Sequence, residues 1–503
     1  MGAADRRDYW VDDTLTLPLP VLDGHPGMRL RQVPGTPRPA PGPGQEPEPD
    51  NRNLVSRVLS ALRDPEYRGS YALVANTVGT SVIGAVYWAI AAHLLSPVDL
   101  GRATSLIAAL MLVGTLSQLN LSSTLMRFLP EMGSRSAGRL IKFSYVASAL
   151  TALAGSLIFV VFLPRLSSQW AFIGHSLFFA GIFAVSVIVW EVFTLQDAAL
   201  VGLQRAGAVP VENVVYSVAK LGLLVIGVKL LGSTDVLFSW MIPLVFLLPI
   251  INWMIFRCLK ERSPHDVGPR LQYRHLARFA SVDYLGVILG QVVSNALPLL
   301  VISVLGAAAA GSFYIVSLIT SGVATVGINF ATGLLVEAAA APSRLAELTK
   351  GALKRCVLTM GLATVVLVVG ARFILKVYGG SDVASTVVLF QLLSLTLIPF
   401  CIETIAYSLD RIAGKPIRAT LSQLLIAVVT LGGSWALFGR YGVNAVGIAT
   451  LGAGILVAIV RLPTVVGALR GHAKVASQSS SMAVRTTAPQ RVLAEPPAAQ
   501  PAA

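Results

Sequence analysis

The sequence predicts an all-α, polytopic membrane protein of about twelve transmembrane helices, arranged as two six-helix bundles. Three observations carry this prediction. Apolar residues make up 54% of the 503 residues, charged residues only 13%, against about a quarter in an average soluble domain. Mean hydropathy is +0.71. The apolar residues are gathered into runs of about twenty, the length a helix needs to cross the hydrocarbon layer with its backbone groups bonded internally. The strands of an outer-membrane barrel would instead alternate over about ten residues.

Taken in order, residues 1–70 form a Pro-rich tail followed by a juxtamembrane segment. The stretch "PGTPRPAPGPGQEPEPD" cannot bury a core and reads as disordered. Over 52–68, Leu54, Val55, Val58, Leu59 and Leu62 recur at helical spacing among Arg52, Arg57 and Arg63. That pattern suits an amphipathic helix on an anionic membrane surface, or a solvated linker. No apolar leader opens the chain, so the first span is expected to stay uncleaved. Spans are predicted at 71–95, 103–126, 143–163, 172–193, 211–231 and 237–256 in a first bundle (71–262). Six more are predicted at 279–305, 312–335, 353–374, 384–407, 417–438 and 443–462 in a second (263–468). Residues 469–503 turn to Ser, Ala, Pro and Gln and form a second tail.

The charges orient these spans. Loops on one side hold 18 Lys and Arg, among them Arg127, Arg139, Arg278, Lys350 and Arg418; loops on the other side hold 6. By the positive-inside rule both termini are expected in the cytoplasm, in a multi-pass protein of the cell membrane. The net charge of +14 belongs to this bias, and no nucleic-acid partner is expected. The chain also echoes itself. "LLSPVDLGRATSLIAAL" at 94–110 aligns with "VLGAAAAGSFYIVSLIT" at 304–320, placing Gly101 on Gly311. Six spans per half give parallel repeats, with a site expected between them.

Polar groups within spans mark candidate functional positions. Asn76, Thr80 and Gly84 share one face of span 1; Ser317, Ser321, Thr325 and Asn329 share one face of span 8. Asp283, Gln291, Ser294 and Asn295 lie on roughly one side of span 7, and Ser117, Gln118 and Asn120 lie near the cytoplasmic end of span 2. Such stripes line a hydrophilic cavity or glue helices together, the latter being favoured for the Ser and Thr residues. Of the charged residues within spans, the ones expected to be buried and therefore the sharper candidates are Glu191, Lys220, Asp283 and Glu403. A charge at membrane depth is paired, neutralised or in water. Glu191 is placed to pair with Lys220, and Asp283 with Arg278. These four are candidates for ion coupling.

Catalytic signatures are absent. "RIAGKPIR" lacks the upstream glycine of a phosphate-binding loop, and no HExxH pair or nucleophile elbow occurs. The three cysteines are scattered and suggest neither disulfides nor a metal site. No enzyme activity and no cofactor are expected.

One region is similar to a known family. Leu95, Ser96, Pro97, Asp99 and Gly101, then Asn120, Leu121, Arg127, Phe128, Leu129, Pro130 and Glu131, resemble turns of the Wzx-type polysaccharide flippases. Those belong to the superfamily that also holds MATE drug exporters and the lipid II flippase. The resemblance implies two bundles that alternate access to a central cavity. It implies a polyprenyl-diphosphate-linked oligosaccharide as substrate, moved across the cytoplasmic membrane for cell-surface polysaccharide biosynthesis. Arg127 and Arg278, at the feet of spans 2 and 7, would then meet the diphosphate. Asn76, Asn120, Gln291 and Asn295 would line the path. Other expectations remain open: an ion-coupled multidrug exporter, a lipid II flippase, or a scaffold that docks polymerases and glycosyltransferases through its tails.

Overall fold

A computed structural model describes residues 68–170, 177–231, 233–261, 273–340, 342–378 and 383–471. Residues 1–67 and 472–503, which hold nearly all of the expected tails and the amphipathic segment at 52–68, lie outside these residues. Among the described residues every regular element is helical. Eleven helices are long and apolar enough to cross a membrane, and Gly79–Leu94 is the described apolar part of a twelfth.

The first six predicted spans correspond to α1 (Arg68–Leu94), α2 (Pro97–Ser117) with α3 (Leu121–Phe128), α4 (Ser134–Leu166), α5 (Leu177–Gly202), α6 (Val209–Leu231) and α7 (Ser233–Lys260). The last six are α8 (Tyr273–Leu305), α9 (Ala307–Ala340), α10 (Leu345–Val377), α11 (Val383–Leu395) with α12 (Leu397–Ile412), α13 (Pro416–Tyr441) and α14 (Asn444–Leu469). Helices run through the predicted spans and on past them at the end that carries the basic loops.

Two spans are broken. Predicted span 2 divides at Gln118–Asn120, where Leu119 (φ 50°) and Asn120 (φ 57°) both adopt the left-handed conformation. The Leu121 amide bonds back to the Gln118 carbonyl at 2.9 Å, and the Thr124 side chain donates to the Asn120 carbonyl at 3.1 Å. Span 10 divides at Thr396. Pro399, in the first turn of α12, has no N–H and crowds the carbonyl four residues back, so the helix restarts. The Thr396 hydroxyl takes up the Leu393 carbonyl at 2.6 Å.

Helix α2 is the most enclosed element, buried along nearly its whole length. Ser96 caps it, accepting from the Asp99 amide at 3.1 Å, and Pro97 sits in its first turn where no N–H is needed. It packs against α4, α5 and α7 of its own six spans and against α8 and α9 of the other six. Large side chains such as Ile107, Leu110, Leu125, Leu195 and Trp170 fill the core around it.

Candidate functional site

The first and second sets of six spans meet at the end opposite the basic loops. There Gly101 of α2 lies directly against the backbone of Ala307, leaving no room for a side chain. A Cβ on Gly311 would stand 3.1 Å from the Gly101 nitrogen and 3.3 Å from the Pro97 carbonyl. These are the two glycines that the sequence alignment of 94–110 with 304–320 places on each other. The Trp88 and Tyr314 rings meet at a tilt, with centroids 4.8 Å apart. Ser167 donates to the Ser303 carbonyl and the Trp170 indole to the Ser303 hydroxyl, both at 2.9 Å. The chain is therefore closed at this end.

Nearer the basic end, α8 and α9 turn polar faces outward. Gln291, Ser294, Ser321 and Asn329 are exposed, and Asn295, Ser317 and Thr325 half-buried. Their side chains bond within their own helices: the Asn295 amide donates to the Gln291 carbonyl at 2.9 Å, and Thr325 to the Ser321 carbonyl at 3.0 Å. The hydroxyls of Ser294, Ser321 and Thr325 therefore make no hydrogen bond to a neighbouring helix among the described residues. Each hydroxyl is satisfied by the preceding turn. Asn76 lies in α1, and its side chain is outside the described ones. Asn120 is buried at the break after α2, and Arg127 is exposed in the last turn of α3. Arg278 and Asp283 fall in the first turns of α8, where only the backbone is described, so their expected pairing lies outside the described side chains.

The expected Glu191–Lys220 pair is replaced by two separate arrangements. Glu191 sits near the middle of α5, buried, and accepts from Ser148 of α4 at 3.3 Å. Its other oxygen points at α2, where Gly114 makes space: a Cβ there would lie 2.6 Å away. One turn on, Gln118 donates to Thr194 at 3.2 Å. Lys220 of α6 is only 8% exposed and points its ammonium at three rings. It stands 4.1 Å from the Trp240 centroid and 5.1 Å from those of Tyr87 and Tyr216. The physical reason is supply: α1, α6 and α7 bring three aromatic faces around the ammonium, and cation–π attraction is strongest when desolvated. The Tyr87 hydroxyl is fixed by Ser239 at 2.7 Å, and Trp88, next along α1, is the ring that meets Tyr314.

In the second six spans, Glu403 is buried and accepts from the Gln423 amide at 2.7 Å. One and two turns further along α12, Arg461 of α14 donates to the Ala406 carbonyl at 3.2 Å and forms a buried ion pair with Asp410. Sequence reasoning missed this pair because Asp410 was placed in a loop and Arg461, inside the predicted span 443–462, was not counted among the charges of the spans. The available signal was Arg461 itself, a cation set among apolar residues. It likewise missed the half-buried Asp197 and the buried Glu212, where α5 and α6 approach the basic end; Asn213 donates to Asp197 at 3.1 Å. Among the described residues no cluster of three His, Cys, Asp or Glu side chains could hold a metal ion.

No protein-family model matches the chain, and no curated protein matches it. Solved structures do. An inward-facing multidrug resistance MATE family transporter of the MOP superfamily superposes with TM-score 0.53 at 16% identity, over 82% of this chain and 98% of that one. The fold is that of the MATE transporters. A MATE in complex with MaD5 gives 0.54 at 14% identity over the same shares. A point mutant of the Vibrio cholerae MATE transporter VcmN gives 0.51 at 16% identity, over 83% of this chain and 98% of its own. At these identities the fold is what is shared.

Proposed function

We propose that the chain is a non-enzymatic flippase. It carries a polyprenyl-diphosphate-linked oligosaccharide across the cytoplasmic membrane by alternating access, as the Wzx-type resemblance implies. The supporting observation is the polar face of α8 and α9. Among the described side chains of that face the exposed ones are neutral amides and hydroxyls, Gln291, Ser294, Ser321 and Asn329; the side chain of Asp283, on the same side of α8, lies outside them, and an exposed carboxylate, Glu337, follows only near the end of α9. Such groups donate and accept, which suits a hydroxyl-rich sugar. A carrier for cationic drugs would favour exposed carboxylates instead. The buried Glu191 and Glu403 turn towards Ser148 and Gln423 within their own sets of spans.

In this reading Asn76, Asn120, Gln291 and Asn295 contact the sugar. Arg127 and Arg278 fork onto the diphosphate at the basic end. Asp283, Glu403, Glu191 and Lys220 carry the coupling to an ion gradient or the membrane potential, since no nucleotide-binding motif is present. The likeness to drug exporters keeps one rival, an ion-coupled multidrug exporter.

Proteoliposomes separate the two. A fluorescent polyprenyl-diphosphate oligosaccharide placed in one leaflet should equilibrate at least tenfold faster with the protein than without it. Gln291→Leu/Asn329→Leu should abolish that gain, and ethidium should not be transported. Proton- or sodium-driven ethidium efflux with no lipid movement would put the exporter in its place.

A further inference from the structure

The outer surface of the first six spans carries a feature that transport does not use. At the basic end, the start of α4 and the end of α7 enclose a groove of about 560 Å³. Arg135, Arg139 and Lys142 project into it from one face of α4, at positions i, i+4 and i+7, and Lys260 faces them from α7. Like charges one turn apart repel on a bare helix. Among the described residues no carboxylate lines the groove, and the nearby Glu261 is engaged by Arg205 and Arg257 at 3.6 Å each. Lys142 rests over the Phe256 ring at 5.7 Å. Among the described residues neither Arg135 nor Lys260 has an ion-pair partner. The groove is thus a concentrated positive site with an apolar floor of Phe256 and Leu259.

What lies beyond it fixes the occupant. Along α4 away from the basic end, Val146 and Leu150 are 60% and 62% exposed; along α7, Ile250 and Trp253 are 61% and 63% exposed. The charged groove therefore caps two adjoining apolar stripes. A soluble phosphate would use the cations and leave the stripes bare. A lipid uses both: an anionic headgroup among the cations and acyl chains along the helices.

We infer that the groove between α4 and α7 is a binding site for an anionic phospholipid, its phosphate held by Arg135, Arg139, Lys142 and Lys260. Arginines fork onto phosphate oxygens, and the α4 amino-terminus adds unsatisfied N–H groups. The site is peripheral to the polar faces of α8 and α9, and its occupant is resident rather than cargo.

The test uses the full-length protein in nanodiscs of phosphatidylcholine titrated with phosphatidylglycerol, bound lipid being counted by native mass spectrometry. Arg135→Ala/Arg139→Ala/Lys142→Ala should weaken phosphatidylglycerol binding at least tenfold. The control Lys350→Ala/Lys354→Ala/Arg355→Ala, with equal charge removed from the start of α10, should bind as wild type does. Glycerol phosphate in hundredfold excess should not displace the lipid. Unchanged binding in the first variant, equal loss in the control, or displacement by glycerol phosphate would each overturn the assignment. So would tighter binding of a polyprenyl diphosphate than of phosphatidylglycerol, which would make the groove a substrate site. If the triple variant fails to fold, Arg135→Lys/Arg139→Lys keeps the charge and removes the forks, and should still lower affinity severalfold.

Discussion

Asp410 and Arg461 are each almost fully buried and answer each other across α12 and α14. Removing one member leaves the other charged and unpaired in a low-dielectric interior, at a cost of about 3–5 kcal/mol. Asp410→Ala should therefore lower the melting temperature sharply, while the apolar pair Asp410→Leu/Arg461→Met should recover most of the loss. A thermal unfolding series read by tryptophan fluorescence checks this. Lys220 behaves differently, because its neighbours are rings rather than a carboxylate. Lys220→Met keeps the stem in the cage and removes a desolvated charge, so stability should hold within about 1 kcal/mol. Transport, however, should fall at least tenfold; unchanged transport would remove Lys220 from the coupling residues. Glu191, Lys220 and Glu403 were legible from the sequence as charges inside apolar runs. Their partners were not: Ser148, Gln423 and the aromatic cage are brought together from helices that only tertiary packing makes neighbours.

Helix boundaries show where sequence patterning stops informing. The spans were legible because about twenty apolar residues in a row permit little else. Their ends were not, because helices emerging at the basic end continue with polar residues that satisfy their backbone as well in water as in lipid. That is why α4 begins at Ser134, well before the predicted start of span 3, and why Asp410 was assigned to a loop. The break between α2 and α3 was hidden for another reason. Nothing in "SQLNLSS" demands a left-handed Leu119, and only Asn120 tolerates that conformation readily. Leu119→Gly should relieve about 1 kcal/mol of backbone strain, raising or preserving stability in a denaturant titration. Asn120→Val, a β-branched residue at positive φ, should lose at least that much. If both variants unfold alike, the left-handed pair is not what sets the break.

For the whole molecule, the two glycines that the sequence aligns, Gly101 and Gly311, lie against each other at the closed end, where α2 packs on α9. The polar faces of α8 and α9 were legible as spacing, but their exposure followed only from how those helices pack around α2. An alternating carrier needs this closure to be reversible. Gly101→Val sets a branched side chain against the Ala307 backbone, where only hydrogen fits. Spin labels placed across that end, at Arg165 and Val304, should show a longer distance in the variant, with labels at the basic end moving closer. Parallel widening at both ends would signify unfolding rather than a switch.

The most direct test of the central claim is the leaflet occupied by lipid-linked oligosaccharide in cells lacking this protein. The account predicts precursor accumulating in the cytoplasmic leaflet, shielded from an external sugar-specific probe. Wild-type protein should restore its exposure, and Arg127→Ala should not. Unchanged precursor exposure in the deletion strain, accompanied by new sensitivity to cationic dyes, would contradict it.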